Sequence, residues 1–143
     1  MVDLYQEYSC SIVAIEEVPM DQTQNYGVID GREIQDGVYR VSNMVEKPNP
    51  ADAPTNLAII GRYILTPDIF DVLRKTKPGR GGEIQITDAI AQQAKSRMVL
   101  AYKFKGQRFD CGSVEGFIEA TNFVYDSEFA ADTESLDTPA AAG

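Results

Sequence analysis

Apolar and polar positions along the chain predict a set of β-strands. Five short apolar runs, bounded by Pro, Gly or polar turn residues, have the length and composition of strands: 9–19, 25–31, 38–48, 56–66 and 98–106. The segment "QDGV" between the second and third runs has the chemistry of a tight turn.

Helical spacing of apolar residues predicts helices between these strands. Residues 1–8 are typical of the end of a helix, and further helices are predicted from about Thr87 to Arg97 and after Ser113, which would cap its helix. A helix is also predicted after Thr66 as its cap and Pro67 at its first position, with an apolar face formed by Ile69, Phe70, Val72 and Leu73. Strands that alternate with helices predict an α/β architecture with a mixed sheet.

Length and composition set the domain organisation. The 143 residues, 43% of them hydrophobic, are enough for one domain with its own core. We assign this domain to residues 1–127, and we expect 128–143, which are small and acidic, not to order. No apolar run is long enough to cross a bilayer, and the start of the chain does not have the pattern of a signal peptide. The sequence therefore predicts a cytoplasmic protein.

Charge and residue types narrow the chemistry. The net charge of −9 excludes general binding to nucleic acid or to an anionic membrane. The absence of histidine, with two cysteines in no recognisable motif, excludes most zinc sites and most serine or cysteine nucleophile arrangements. The remaining possibilities are carboxylates, Lys or Arg, backbone dipoles and a hard metal ion held by oxygen atoms.

The pair Glu46-Lys47, followed by Pro48, is a first candidate site. A residue before proline favours extended backbone, so Lys47 is predicted to leave the end of a strand with Glu46 facing the opposite side. A carboxylate accepts hydrogen bonds from sugar hydroxyls, and an ammonium group binds a phosphate. The alternative is an ordinary solvated pair of charges at a strand end.

Other candidates each have a structural alternative. Gly27 within a strand indicates either a close approach of a ligand or a simple bulge. Asp110, at a strand end before a helix, could hold Mg²⁺ or only assist helix capping. Thr87 and Asp88, after the loop "PGRGGE", are adequately explained as helix-capping residues.

Taken in this order, the motifs resemble one family, the bacterial UTP–glucose-1-phosphate uridylyltransferases of the sugar-nucleotidyltransferase superfamily. The stretches that carry the resemblance are "SIVAIEEVP", "NYGVIDG", "VEKPNPADAPTNLAIIGRYILTPDIF", "GGEIQITDAI" and "FDCGSVEGF", which together cover about residues 9–125. The resemblance implies part of a mixed, Rossmann-like nucleotidyltransferase sheet flanked by helices. It also implies the reaction of UTP with glucose 1-phosphate, giving UDP-glucose and pyrophosphate.

The resemblance further implies roles for individual residues. Glu46 would bind glucose hydroxyls, Lys47 would bind the adjacent phosphate, and the backbone amide of Gly27 would meet the sugar. Asp110 would be a ligand of Mg²⁺, the implied cofactor.

Thr87 and Arg108 would lie near the sugar pocket. The resemblance places the catalytic residues of the family in an amino-terminal half that begins with the Gly-rich "GxGTR…PK" loop. This loop has no counterpart in the chain, which therefore resembles the carboxyl-terminal, sugar-binding half and is expected to be inactive alone.

A missing half would leave an unpaired sheet edge and exposed apolar surface. We therefore expect a homo-oligomer or association with the missing half. Two alternatives remain open: an enzyme that makes dTDP- or ADP-glucose, and a non-catalytic regulatory or binding paralogue.

Overall fold

The computed structural model describes residues 1–128, apart from the side chain of Arg80. The predicted tail therefore lies outside the described residues from residue 129 onward. The chain divides into two compact units, the first comprising residues 1–104 and the second beginning at Lys105.

The first unit contains five strands and three helices in a mixed order. The strands are β1 (Ser11–Glu17), β2 (Gly27–Gln35), β3 (Val38–Glu46), β4 (Leu57–Ile64) and β5 (Val99–Lys103). The helices are α1 (Val2–Tyr8), α2 (Ile69–Leu73) and α3 (Ile86–Ala94), and short 3₁₀ turns span Met20–Asn25, Pro50–Asp52 and Arg80–Gly82. Every predicted strand is present. Four of them have shorter bounds than predicted, because Pro and Gly residues mark the limit of a strand more loosely than hydrogen bonding does. Strand β2 begins two residues later than predicted and continues four residues further, to Gln35.

The strands form one mixed sheet in the order β1-β4-β2-β3-β5 that closes on itself. Strands β1 and β5 are parallel, and the other neighbours are antiparallel. The predicted unpaired edge is wrong for the described residues, because β5 pairs with both β1 and β3 and gives every strand two neighbours.

Two apolar clusters cover the two faces of the sheet. The larger one joins strand residues such as Val13, Ile29 and Met44 to Ile69 of α2 and Ile90 of α3. The smaller one packs Leu4 of α1 against Cys10, Ile12, Val38 and Leu100. Burial on both faces explains why β1 and β5 are near-continuous apolar runs in the sequence.

The helix predicted after Thr66 differs from the observed one. Helix α2 has only five residues, Ile69–Leu73, and no side chain caps it. The hydroxyl of Thr66 instead bonds with Ser11 and Gln93, so long-range partners override its capping preference. Phe70, predicted to be on the apolar face, is exposed.

The second unit consists of an irregular segment and α4 (Val114–Glu128). Ser113 caps α4 as predicted, since its Oγ accepts the Gly116 N–H at 3.0 Å. None of the helices within residues 1–128 has the length and hydropathy that crossing a membrane requires.

Candidate functional site

The base of the β2–β3 hairpin brings two predicted site residues together. Gly27 begins β2, Glu46 ends β3, and the two are direct partners across the antiparallel pair. Glu46 is half-buried at this position. Its carboxylate therefore projects from the end of a rigid strand, which holds it more firmly than a loop would.

Thr87 completes this group from a different element. It is the second residue of α3, is only 4% exposed, and donates its hydroxyl hydrogen to Oε2 of Glu46 at 2.6 Å. The capping explanation of Thr87 is wrong, because α3 begins at Ile86 and its N-cap residue, Gln85, forms no side-chain cap bond. The hydroxyl positions Glu46 instead.

Gly27 permits this contact by lacking a side chain. A Cβ at this position would lie 2.9 Å from Oγ1 of Thr87, 3.1 Å from Oε2 of Glu46 and 3.2 Å from Cδ1 of Ile59. The alternative of a bulge at Gly27 is wrong, because the register shift in β2 falls between Asp30 and Gly31. Side chains of the protein itself therefore approach Gly27 closely, and the predicted approach of a ligand to Gly27 stays a prediction.

The carboxylate of Glu46 has the capacity for further hydrogen bonds. Thr87 donates one hydrogen bond, to Oε2, whereas an ionised carboxylate can accept about four over its two oxygens. A half-buried carboxylate of this kind is a suitable acceptor for hydroxyl groups of a ligand.

Lys47 does not have the predicted extended backbone. Its φ is +47°, in the left-handed region, and β3 ends one residue earlier at Glu46. The Lys47 N–H donates to the carbonyl of Tyr26 at 2.9 Å, which extends the hairpin pairing by one step and offsets the cost of this conformation. Left-handed backbone costs a non-glycine residue about 1–2 kcal/mol. Such strain is concentrated at functional sites.

Tyr63 of β4 is a neighbour of this site that the sequence did not single out. Its pKa is raised, first by burial and then by the negative charge of Glu46. It follows Gly61, whose φ of +72° lies where the β1–β4 register shifts. Nothing in the sequence distinguishes Tyr63 from an ordinary aromatic residue of the core. Only the tertiary structure shows that the charge of Glu46 affects its pKa.

Arg108 and Asp110 belong to the second unit. Asp110 is exposed, and its Oδ1 accepts the Gly112 N–H at 3.0 Å, while its carbonyl accepts the hydroxyl of Ser113 at 3.3 Å. Asp110 thus organises the turn before α4, as its structural alternative predicted. The role of Asp110 as a ligand of Mg²⁺ stays a prediction, as does the position of Arg108 near the sugar pocket.

The donor set tests whether these residues could hold Mg²⁺. Within residues 1–128 no group of three or more Asp, Glu, Cys or His converges as a metal site. Mg²⁺ commonly binds one or two carboxylates and completes its shell with water and substrate phosphates. Asp110 fits the part of a single carboxylate ligand, but these residues do not form a site without further oxygen donors.

The sequence matches a described family over most of its length. The family "Nucleotidyl transferase" matches residues 1–127. This chain belongs to that family. The mixed sheet with flanking helices confirms the predicted fold class, because it superimposes on the solved structure described in the next paragraph.

Relatives of known function are similar over most of this chain. The UTP–glucose-1-phosphate uridylyltransferase of Pseudomonas aeruginosa is 66% identical over 127 residues, which are 89% of this chain and 46% of that protein. The enzyme of the same name from Staphylococcus epidermidis is 46% identical over 121 residues, 85% of this chain and 42% of that protein. A structure of UDP-glucose pyrophosphorylase complexed with UDP-glucose superimposes with a TM-score of 0.84 at 62% identity, covering 88% of this chain and 48% of the other. The chain spans just under half the length of the relatives it matches.

Proposed function

We propose that this chain supplies the sugar-phosphate-binding part of a uridylyltransferase that makes UDP-glucose and pyrophosphate from UTP and glucose 1-phosphate. The observation that carries the proposal is the bond of 2.6 Å between Thr87 and Glu46, formed beside Gly27. Three residues from three elements, each proposed from the sequence as a sugar contact, lie together, and Thr87 orients the carboxylate of Glu46.

The roles follow from the chemistry of each group. Glu46 accepts hydrogen bonds from glucose hydroxyls, and Thr87 keeps its carboxylate oriented. Lys47, exposed beside it, neutralises the phosphate next to the sugar. In the reaction, an oxygen of the sugar phosphate attacks the α-phosphorus of UTP and pyrophosphate leaves, so catalysis depends on positioning and charge neutralisation.

The remaining contributions come from the second unit and from outside this chain. Asp110 serves as one ligand of Mg²⁺, which supplies charge neutralisation at the phosphates, and Arg108 contributes to the sugar pocket. The catalytic residues belong to a nucleotide-binding half that the chain does not contain, so the chain alone is inactive. The composition supports action in the cytoplasm.

Uridine is the base that the comparisons support. Both curated relatives described above are named uridylyltransferases, at 66% and 46% identity. The alternatives, dTDP- or ADP-glucose synthesis and a non-catalytic paralogue, have no comparable support.

Association is the other part of the proposal. Large apolar side chains are exposed on α4, among them Phe117 at 61% and Ile118 at 52%. Exposed apolar surface of this kind favours association with a second copy or with the nucleotide-binding half.

The proposal is tested by titrating the ¹⁵N-labelled chain with UDP-glucose and Mg²⁺ and following amide shifts. We expect saturable shifts at Gly27, Glu46, Lys47 and Thr87 that disappear in Glu46→Ala and persist in Glu7→Ala, which removes an exposed glutamate on α1. Shifts that survive Glu46→Ala would contradict the assigned site. Activity is tested by combining the chain with the nucleotide-binding half of a relative and measuring UDP-glucose formation.

A further inference from the structure

Two arginines face each other on the β2–β3 hairpin, away from the site described above. Arg32 of β2 and Arg40 of β3 are direct cross-strand partners, and both are exposed. Gly27 and Glu46 lie at the base of the same hairpin. Five residues of strand separate Arg32 from Gly27, which corresponds to about 16 Å.

The two positive charges of Arg32 and Arg40 repel each other unless a negative charge neutralises them. Like charges directly opposite each other destabilise a strand pair. The chain has 22 acidic residues against 13 basic ones, yet neither arginine forms an ion pair with any residue among 1–128. The hairpin therefore presents two unneutralised guanidinium groups on the surface of an acidic protein.

A cleft adjoins the pair. It has a volume of about 500 Å³, and its lining includes Asp30, Gly31, both arginines, Val41 and Ala94. The register shift between Asp30 and Gly31 makes a bulge here, and the Ser42 hydroxyl fixes it by donating to the Asp30 carbonyl at 3.0 Å. Gly31 keeps the strands close, because a Cβ there would lie 2.8 Å from the Arg40 carbonyl oxygen.

We propose that Arg32 and Arg40 form a binding site for the phosphate group of a small metabolite, separate from the sugar site at Glu46. A guanidinium group offers parallel N–H donors that match two oxygens of one phosphate, and two such groups can hold one anion between them. The carboxylate of Asp30 lines the same cleft and leaves a net local charge of +1, which suits a ligand that carries a hydroxyl beside its phosphate.

Size and charge favour a small molecule over a polymer or a membrane. A cleft of about 500 Å³ lies within the size range of small-molecule sites. The net charge of −9 repels polyanions at long range, whereas screening confines this repulsion to about 8–10 Å at physiological ionic strength and leaves a local pair free to bind one phosphate.

The test is a titration of the ¹⁵N-labelled chain with inorganic phosphate, against sodium chloride at equal ionic strength. We expect saturable shifts at Gly31, Arg32, Arg40 and Val41 with phosphate and none with chloride. Arg32→Ala and Arg40→Ala should each weaken binding about tenfold. The matched control is Arg62→Ala, which removes an exposed arginine that donates a hydrogen bond to the neighbouring Gly61 carbonyl, and it should bind phosphate normally.

Further arms separate the remaining explanations. Arg40→Lys keeps the charge but not the two parallel donors, so it should bind between the wild type and Arg40→Ala. Sedimentation with phosphatidylglycerol vesicles should leave the chain in solution, and co-sedimentation would overturn the small-molecule assignment. Equal shifts with chloride, or unchanged binding in the Arg32→Ala/Arg40→Ala double variant, would overturn the site itself. Because its readout lies at Arg32 and Arg40, this result is independent of the UDP-glucose titration.

Discussion

At the scale of single residues, the absence of a side chain at Gly27 leaves room for the contact between Thr87 and Glu46. Gly27→Ala would place a methyl group 2.9 Å from Oγ1 of Thr87, so the Thr87–Glu46 contact must shift. We expect a loss of about 1–3 kcal/mol in the free energy of unfolding, measured with urea, and loss of the UDP-glucose shifts.

A control for this substitution is available in the same strand. Gly31→Ala also crowds the hairpin, at 2.8 Å from the Arg40 carbonyl oxygen, but lies away from Glu46. It should lower stability and still bind UDP-glucose. Equal loss of binding in both variants would mean that the effect of Gly27→Ala reflects general destabilisation.

The Thr87 hydroxyl gives a second prediction at this scale. Thr87→Val keeps the shape of the side chain but leaves Oε2 of Glu46 without its donor. We expect about 1 kcal/mol of destabilisation and UDP-glucose binding weakened about tenfold. Thr87→Ser, which keeps the hydroxyl, should restore most of both. Normal binding by the valine variant would contradict a positioning role for Thr87.

Tyr63 makes the electrostatics of the site measurable. Burial, and then Glu46, raise its pKa, so the folded state favours the neutral phenol. The stability that this preference provides is complete below the unfolded pKa of about 10 and is lost as the pH rises through the folded pKa. Tyr63→Phe should therefore lose less unfolding free energy than the wild type above about pH 10. An equal loss of unfolding free energy above about pH 10 in Tyr63→Phe and in the wild type would contradict the contribution assigned to Tyr63.

Which of these residues the sequence could predict depends on how local their causes are. Glu46 and Gly27 were predicted because strand ends and strand glycines have local signatures. The backbone of Lys47 was predicted wrongly, since its left-handed conformation depends on a hydrogen bond to Tyr26, more than twenty residues away. Tyr63 was missed because proximity to Glu46 leaves no mark in the pattern of β4.

At the scale of elements, a polar network anchors α3, the helix that carries Thr87. Gln93 is 2% exposed, and its Nε2 donates to Oγ1 of Thr66 and to Oδ2 of Asp68, both at 3.0 Å. Thr66 in turn bonds with Ser11 of β1 at 3.1 Å. The network therefore connects α3 to β1 and to the segment before α2, and it fixes the position from which Thr87 reaches Glu46.

Acid unfolding should report on this network. Hydrogen bonds from Thr66 and Gln93, with a smaller contribution from Arg97, lower the pKa of Asp68. The stability from a lowered carboxyl pKa is present above the unfolded value of about 3.9 and is lost as the pH falls through the folded value. Asp68→Asn should be less stable than the wild type near neutral pH, and the difference should shrink below about pH 4.

Asp71→Asn is the matched control for this prediction. Asp71 forms an ion pair with Arg74 on the exposed surface of α2, and both side chains are more than two-thirds exposed, at 72% and 73%. Exposed pairs of this kind contribute little to stability. A pH profile of Asp68→Asn that matches that of Asp71→Asn would contradict the anchoring role of the network.

The same network shows which features of the strands and helices a sequence pattern does not predict. The presence and order of strands and helices were predicted correctly, because burial on two faces imposes long apolar runs. The capping role of Thr66 was predicted wrongly. Its hydroxyl instead forms hydrogen bonds with Ser11, 55 positions earlier in the chain, and with Gln93, 27 positions later. Sheet closure was also missed, since the pairing of β3 with β5 joins residues far apart in sequence.

At the scale of the whole molecule, the surface of α4 is the feature that bears on assembly. Val114, Phe117, Ile118, Val124 and Tyr125 recur at helical spacing and are all exposed, with Phe117 at 61%. Acidic residues such as Glu115 and Glu119 lie at other positions around the helix, outside this apolar stripe. A one-sided stripe of this kind is typical of a helix that packs against a partner.

We therefore expect the chain to associate as its concentration rises, in light scattering or sedimentation velocity. Phe117→Ser/Ile118→Ser should shift the equilibrium toward monomer, because it removes two large apolar side chains from the stripe. Glu119→Ser, on the same helix, should leave the equilibrium unchanged or favour association by removing a negative charge. A monodisperse monomer at high concentration would contradict self-association. A monomer that binds the nucleotide-binding half of a relative through the same stripe would instead assign α4 to assembly of the complete enzyme.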